Sequence, residues 1–319
     1  MHIVTASDNN YVPGVFVLLA SIARHNPQAR FTILTTEWSD ESLAKMASFK
    51  ERLGLRVDLV EITAESMAAL PITRAHLTRS TYARLFIPNL LPDEDRVIYM
   101  DCDMLVTGSL AEAWSCDLDG YALAAVQCPT PTAAFARAIN LPITQYFNAG
   151  FLVLSLNTWR AEGFAEACLA SVAAPDCPYL SQDESALNDH ARGRVNYLPS
   201  GFNLYAQDTL WQGALATPSS IRVIHFVTRP KPWNGPCPFG ALWLAEIAAL
   251  AEFADFKPAQ ESWRSRFTRV NRSRRALMGL MAGKAKYKNY SKIRQFIHRV
   301  LVPAYLANGH FPETGMIKR

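Results

Sequence analysis

An α/β fold is what the 319-residue sequence predicts, and three observations predict it. Aliphatic and β-branched runs alternate with helix-like stretches through residues 1–260. Half of the residues are apolar, enough to bury one large core with an appendage. Polar side chains collect where the runs stop or start (Asp8, Asn10, Asp101, Asp103, Asn148, His225), and strand ends are where α/β proteins carry their sites.

Taken in order, "HIVTAS" (2–7) reads as a first strand, followed by the loop "DNNYVPG" and a helix to about Arg24. "RFTILTT" and "RVDLVEI" read as the next two strands, separated by the polar helix "SDESLAKMASFKERL". "TYARLFIPNLL" is a short helix running into the apolar strand that ends in Asp101 and Asp103. "YALAAVQ" and "FLVLSLN" are further strands, the second preceded by "YFNAG". "WRAEGFAEACLASVA" and "SQDESALNDHA" read as helices, the latter with acids in its first turn. "IRVIHFV" (221–227) is a late strand with His225 near its end.

Charge divides the chain. Residues 261–319 hold 14 Lys and Arg against Glu261 and Glu313, a net +12, while residues 1–260 hold 18 basic and 26 acidic residues, a net −8. A domain of residues 1–258 and a basic tail of 259–319 are therefore expected. The six cysteines are scattered, with no pair at zinc-ligand spacing, which fits reduced thiols in a cytoplasmic protein. The run "VFVLLASIA" (15–23) is too short to span a bilayer. No nucleic-acid-binding motif accompanies the basic residues, so no nucleic-acid partner is expected.

"VIYMDCDMLV" (97–106) sets two carboxylates one residue apart at the end of a buried run, where an unpartnered charge is costly. Three readings fit: a strand ending with both acids in water, a phosphatase-type nucleophile with its acid/base, or a divalent-metal site.

The combination of motifs resembles the family 8 retaining glycosyltransferases, which include bacterial lipopolysaccharide galactosyl- and glucosyltransferases and glycogenin. "IVTASDNNY" looks like the family's opening strand and uridine loop, "STYARL" like its arginine-bearing helix, and "YMDCDMLV" like its Asp-x-Asp motif. "YFNAGFLVLSLNTWR", "QDESALN" and "HFVTRPKPW" look like its asparagine-glycine strand, catalytic helix and His-(x)5-Lys-Pro-Trp segment, all in family order from Ile3 to Trp233. The resemblance implies a single Rossmann-like nucleotide-binding domain of the glycosyltransferase A type with a mixed central sheet. It also implies a UDP-hexose donor, a saccharide or glycolipid acceptor, and Mn²⁺ (or Mg²⁺).

The resemblance further implies roles. Asp101, Asp103 and His225 would ligate the metal, a mixed oxygen and imidazole set that suits Mn²⁺. Asp101 would also lie on the donor, and Lys231 would reach its diphosphate. Asp8 and Asn10 would read uracil beside Ala6 and Tyr11, while Arg84, Asn148 and Asp183 would hold sugar hydroxyls. His76 and residues 128–145 are candidates for the acceptor pocket. Two departures stand out. Asp183-Glu184 replaces the Asp-Gln usual in bacterial members, so Glu184 is a nucleophile, an electrostatic stabiliser of an oxocarbenium-like transition state, or only a helix-start acid; with Asp183 it is assigned to catalysis. Thr228 replaces a common glycine near the expected diphosphate.

In the tail, Tyr287, Tyr290, Ile293, Ile297 and Leu301 recur at helical spacing, with Lys288, Lys292 and Arg299 on the other side. Residues 262–302 thus read as a basic amphipathic segment for an anionic membrane, which places the protein at the inner face of the cytoplasmic membrane. The alternative is a helix docked on the body. Rival functions are a haloacid-dehalogenase-type phosphatase and a non-catalytic nucleotide-sugar-binding module.

Overall fold

Strand β1 (His2–Asp8) is buried at every position and pairs in parallel with β2 (Arg30–Thr36), in unbroken register from His2 with Arg30 to Asp8 with Thr36. A strand covered on both faces needs a continuous apolar run, which Ile3, Val4 and Ala6, and Phe31, Ile33 and Leu34, provide. The computed structural model describes residues 1–63, 79–128, 133–207, 218–227, 230–259, 263–284, 287 and 290–313. His76, Thr228 and part of the 128–145 stretch lie outside the described residues.

The remaining strands are β3 (Arg56–Glu61), β4 (Arg96–Met100), β5 (Met104–Val106), β6 (Leu123–Gln127), β7 (Phe147–Ser155), β8 (Val195–Tyr197), β9 (Leu204–Tyr205) and β10 (Val223–His225). Helices α1 (Val12–His25), α2 (Asp40–Leu53), α3 (Ile87–Leu90), α4 (Ala111–Trp114), α5 (Ala133–Ala138) and α6 (Leu156–Glu162) come first. They are followed by α7 (Phe164–Ala173), α8 (Gln182–His190), α9 (Gly240–Ala248), α10 (Trp263–Met281), α11 (Tyr290–Phe296) and α12 (Val302–Asn308).

The chain forms two compact units: Met1–Val15, Asn26–Cys102 and Leu110–Pro199 in one, Phe16–His25, Asp103–Ser109 and Ser200–Arg319 in the other. The first contains a seven-stranded mixed sheet in the order β3-β2-β1-β4-β7-β6-β8. Strands β3, β2, β1 and β4 are mutually parallel, whereas β7 runs antiparallel to both β4 and β6. The carboxyl end of β4 therefore lies beside the start of β7, with Met100 opposite Phe151, and Asp101 donates its N–H to Gly150 O at 2.8 Å.

In the second unit β10 pairs antiparallel with β5 and parallel with β9. Arg24 holds Glu246 through two 2.7 Å bonds, and His25 meets the Tyr305 hydroxyl at 2.9 Å. Tyr305 lies tilted against Phe311, ring centroids 5.0 Å apart, and Phe311 meets the Phe239 ring edge-on. Gly279 on α10 is obligatory in this packing, because a Cβ there would sit 2.0 Å from the Tyr287 ring.

The structure differs from the sequence reading at several elements. The helix expected over 159–173 is broken into α6 and α7 by Gly163, whose φ of 61° closes the first helix in a left-handed cap. Strand β7 starts at Phe147, so Asn148 is a strand residue rather than part of a turn. The apolar stripe of the tail is turned inward: Ile293, Ile297 and Leu301 are at most 1% exposed. That stripe completes a core and is not the face offered to a membrane. Most of the exposed apolar residues of the tail lie one helix earlier, on α10, with Val300 and Leu306 further along. All six cysteines are free thiols, and among the described residues no helix is long and apolar enough to cross a membrane.

Candidate active site

In the first unit, Arg84 organises the end of β4. It lies on a 3₁₀ helix (Arg79–Phe86), is 5% exposed, and sets its guanidinium 4.5 Å over the Tyr99 ring. Its Nη2 donates to Asp101 Oδ1 at 3.2 Å, which also accepts from the Tyr99 hydroxyl at 3.0 Å. Its Nη1 donates to Ala149 O, and its Nε donates to Thr81 O at 3.1 Å.

Asp183, on the first turn of α8, sits with Oδ2 3.0 Å from that same Nε. The Nε hydrogen is already given to Thr81, so Oδ2 has charge nearby but no donor among the described residues. Its Oδ1 accepts from Thr81 Oγ1 at 3.1 Å. Burial pushes the Asp183 carboxyl up to about 6, with Arg84 opposing and the charges of Glu184 and Asp101 adding to the rise. Glu184 follows on α8 and is also raised by burial, against hydrogen bonds from Ala149 and Asn148. Gln182, just before this pair, holds φ 46°, a left-handed conformation that costs a non-glycine residue about 1–2 kcal/mol.

At the end of β1, Asp8 Oδ1 accepts from Asn10 N–H at 2.9 Å and caps a 3₁₀ turn (Asn9–Tyr11). Ala6 is buried, Asn10 is exposed, and Tyr11 is half-buried. Asn9, by contrast, is committed to the fold: its Oδ1 accepts from Ser39 N–H at 3.0 Å and Ser42 Oγ at 2.8 Å. The Trp38 indole donates to Ser7 O and Ser7 Oγ, both at 3.1 Å.

In the second unit, His225 ends β10 with Nε2 3.0 Å from Asp103 Oδ1, and its Nδ1 is 2.9 Å from Asn203 Oδ1. With Nδ1–H donated to Asn203, the neutral ring presents its Nε2 lone pair to a carboxylate oxygen that has no hydrogen-bond donor among the described residues. Two lone pairs face each other, and a cation or a proton between them removes the conflict. Lys231 lies on Asp103 Oδ2 and donates to Phe226 O and, at 2.9 Å, to Val227 O. Burial works against the Asp103 charge, but Lys231, joined by His225 when its ring is protonated, outweighs it and holds the carboxyl well below the usual carboxylate range. Asp101 is two residues upstream of Asp103, and Asp101, Asp103 and His225 each offer a ligand atom within 4.8 Å of the others. Two carboxylates and an imidazole whose second nitrogen is hydrogen-bonded fit a divalent transition metal.

Thr81, Tyr99, Tyr146 and Asn203 escaped the sequence reading as site residues. Thr81, Tyr99 and Tyr146 lie inside quoted motifs, so their position was a signal; Asn203 carries none.

A mixed α/β architecture with an Asp-x-Asp and a distant histidine is that of the glycosyltransferase A type. The family model "Glycosyl transferase family 8" matches residues 2–237, and the chain belongs to that family. It is 30% identical over 241 residues to the lipopolysaccharide 1,2-glucosyltransferase of Escherichia coli K12, covering 71% of each chain. It is 24% identical over 242 residues to the lipopolysaccharide 1,3-galactosyltransferase of Salmonella typhimurium LT2, again covering 71% of each. The crystal structure of the galactosyltransferase LgtC with donor and acceptor sugar analogues superposes with a TM-score of 0.71 at 26% identity, covering 80% of this chain and 99% of that one. The fold is thus that of LgtC, with a helical C-terminal region, and the chain is a glycosyltransferase rather than a phosphatase.

Proposed function

We propose that this glycosyltransferase moves a hexose, galactose or glucose, from a UDP-sugar to a saccharide of the lipopolysaccharide or lipooligosaccharide core, retaining anomeric configuration and using Mn²⁺ (or Mg²⁺). The observation that carries this reading is the Asp101, Asp103 and His225 donor set, with the His225 Nε2 lone pair turned toward Asp103. A divalent ion there supplies charge neutralisation for the UDP leaving group.

The chain's own residues do the rest. Asp8 and Asn10, with Ala6 and Tyr11 beside them, hold the uracil. Arg84, Asn148 and Asp183 hold the sugar, and Lys231 passes from Asp103 to the donor diphosphate as a flexible point charge. Residues 1–258 form the catalytic domain, with His76 assigned to the acceptor. Incubation with UDP-galactose and UDP-glucose, with and without Mn²⁺, tests the reading. Metal-dependent UDP release is expected and is faster with truncated lipopolysaccharide. UDP binding without release from any donor would instead indicate a non-catalytic nucleotide-sugar module.

The tail, 259–319, is proposed to hold the protein at the inner face of the cytoplasmic membrane. Helix α10 supports this better than the buried stripe that follows it. Trp263, Phe267, Val270, Leu277 and Met281 recur along one face at 73%, 62%, 53%, 59% and 81% exposure. The same helix carries six arginines and no acid. Each base near an anionic surface adds about 1 kcal/mol. Replacing Trp263 and Phe267 by Ser should reduce co-sedimentation with phosphatidylglycerol vesicles several-fold without changing the melting temperature. Unchanged vesicle binding would remove α10 from the interface.

A further inference from the structure

The Glu184 carboxylate has its two oxygens divided between two kinds of donor. Oε2 accepts from Asn148 Nδ2 at 2.7 Å and from Ala149 N–H at 3.2 Å. Oε1 accepts from the Tyr146 hydroxyl at 3.2 Å and the Ser181 hydroxyl at 3.3 Å. An ionised carboxylate has about four lone-pair sites, and here four donors occupy them. Attack on a sugar carbon requires a lone pair released from this set and aimed elsewhere.

The segment that Glu184 grips is the one that shapes the end of β4. Ala149 gives its N–H to Glu184 and its carbonyl to Arg84 Nη1. Gly150 takes the Asp101 N–H on its carbonyl at 2.8 Å and donates its own N–H to Asn148 Oδ1 at 3.1 Å. Glu184, the Asn148–Gly150 backbone, Arg84 and Asp101 are therefore one continuous hydrogen-bonded chain. We infer that Glu184 is a positioning residue, which fixes the entry of β7 and through it Arg84 and Asp101, and that it does not attack the sugar. The inference rests on the transferase reading for its catalytic consequence, but the clamp itself stands on geometry alone.

The two-sided donor set also explains why an amide fits the same place. The N–H groups on Oε2 cannot reverse, so that side must remain an oxygen. The hydroxyls on Oε1 can rotate and accept instead, so an amide NH₂ is satisfied there. Glutamine in the matching orientation keeps all four bonds. Alanine leaves the Asn148 amide and the Ala149 N–H without acceptors in a buried place.

Three measurements on the full-length protein separate the outcomes. Glu184→Gln should lose no more than about threefold in plateau kcat/KM, with the acid limb moving to lower pH because the Glu184 charge that helps raise Asp183 is gone. Glu184→Ala should lose about 100-fold or more, chiefly in kcat, because Arg84 and Asp101 lose their bearing. Hydrogen exchange of the peptide spanning 147–151 should be unchanged in Glu184→Gln and accelerated at least tenfold in Glu184→Ala. Where the alanine variant does not fold, Glu184→Asp, one methylene short of Asn148, takes its place in both assays.

A Glu184→Gln variant with normal exchange but a 100-fold loss of kcat would overturn the inference. So would a glycosyl adduct on Glu184, found by mass spectrometry after reaction with a slow fluorinated donor. Unaltered exchange in the alanine variant would overturn the clamp. If the wild-type protein releases no UDP from any donor, the transferase reading fails, and the exchange experiment still decides the clamp.

Discussion

Asp103 and Asp183 are both buried and both sit against a basic side chain, yet burial wins at one and loses at the other. Asp103 receives the Lys231 ammonium directly on Oδ2, and its carboxyl is held well below the usual range. Asp183 lies 3.0 Å from Arg84 Nε, but that hydrogen goes to Thr81 O, and the other guanidinium nitrogens serve Asp101 and Ala149. Its carboxyl rises to about 6. A cation's distance therefore does not settle a carboxylate's state; what matters is where the hydrogens point and how many acids share the charge. The contrast suits two tasks: a permanently ionised carboxylate, the proposed metal ligand, in one place, and a group that changes charge near neutrality in the other.

The largest effect expected from breaking this contrast is at Asp103. Asp103→Ala removes a proposed ligand and leaves Lys231, 7% exposed, without its carboxylate. Metal-dependent turnover should fall ~100-fold or more, and unpairing a buried ion of this kind costs about 3–5 kcal/mol of stability. UDP release and denaturant unfolding measure the two losses separately. Near-normal Mn²⁺-dependent turnover would show that Asp103 is no ligand.

Asp183→Asn comes second. In the wild type the carboxyl ionises at about 6, so kcat/KM should fall on the acid side below that pH if the ionised form holds the sugar. The asparagine variant should lose this acid limb together with roughly tenfold or more of its rate. Stability should change in the opposite sense to the usual acidic residue. The folded value lies above the unfolded value of about 3.9. Between those two pH values the native state keeps a proton that the unfolded chain has lost, so this group's stabilisation is full at low pH and fades as pH rises from about 4 to 6. Denaturant titrations at both ends of that window should show the slope in wild type and its absence in Asp183→Asn.

How much of this was legible in the sequence depends on how local the cause is. The long strands were readable because burial on both faces leaves an uninterrupted apolar run, as in β1 and β2. Strands β5, β8 and β9 are two or three residues long and leave no period to detect. The metal-type residues could be named because a carboxylate pair at a strand end is unusual chemistry. Asn203, which orients His225 from 22 residues away, could not. Nor could the division of Arg84's hydrogens, since nothing in "STYARL" says which acceptor the Nε will choose. The stripe of the tail was ambiguous for a physical reason. A stripe at helical spacing fits a docked helix as well as a surface one, and Ile297 and Leu301 are buried.

The finest test of the contrast lies at Thr81. Its Oγ1 is the donor that Asp183 Oδ1 has at 3.1 Å, and this bond favours the ionised form. Thr81→Val keeps the shape and removes the hydroxyl, while the Thr81 carbonyl still takes the Arg84 Nε hydrogen. Asp183 should then ionise only at higher pH, and the acid limb of kcat/KM should move upward from about 6 with little change in the plateau rate. The sign follows from removing a bond to the charged form: protonation becomes easier, so activity is lost earlier as pH falls. A limb that stays in place would show that Asp183 is not the group titrating there. A limb that moves downward would show that Arg84 Nε had turned to Asp183 once the hydroxyl was gone, making the second aspartate resemble the first.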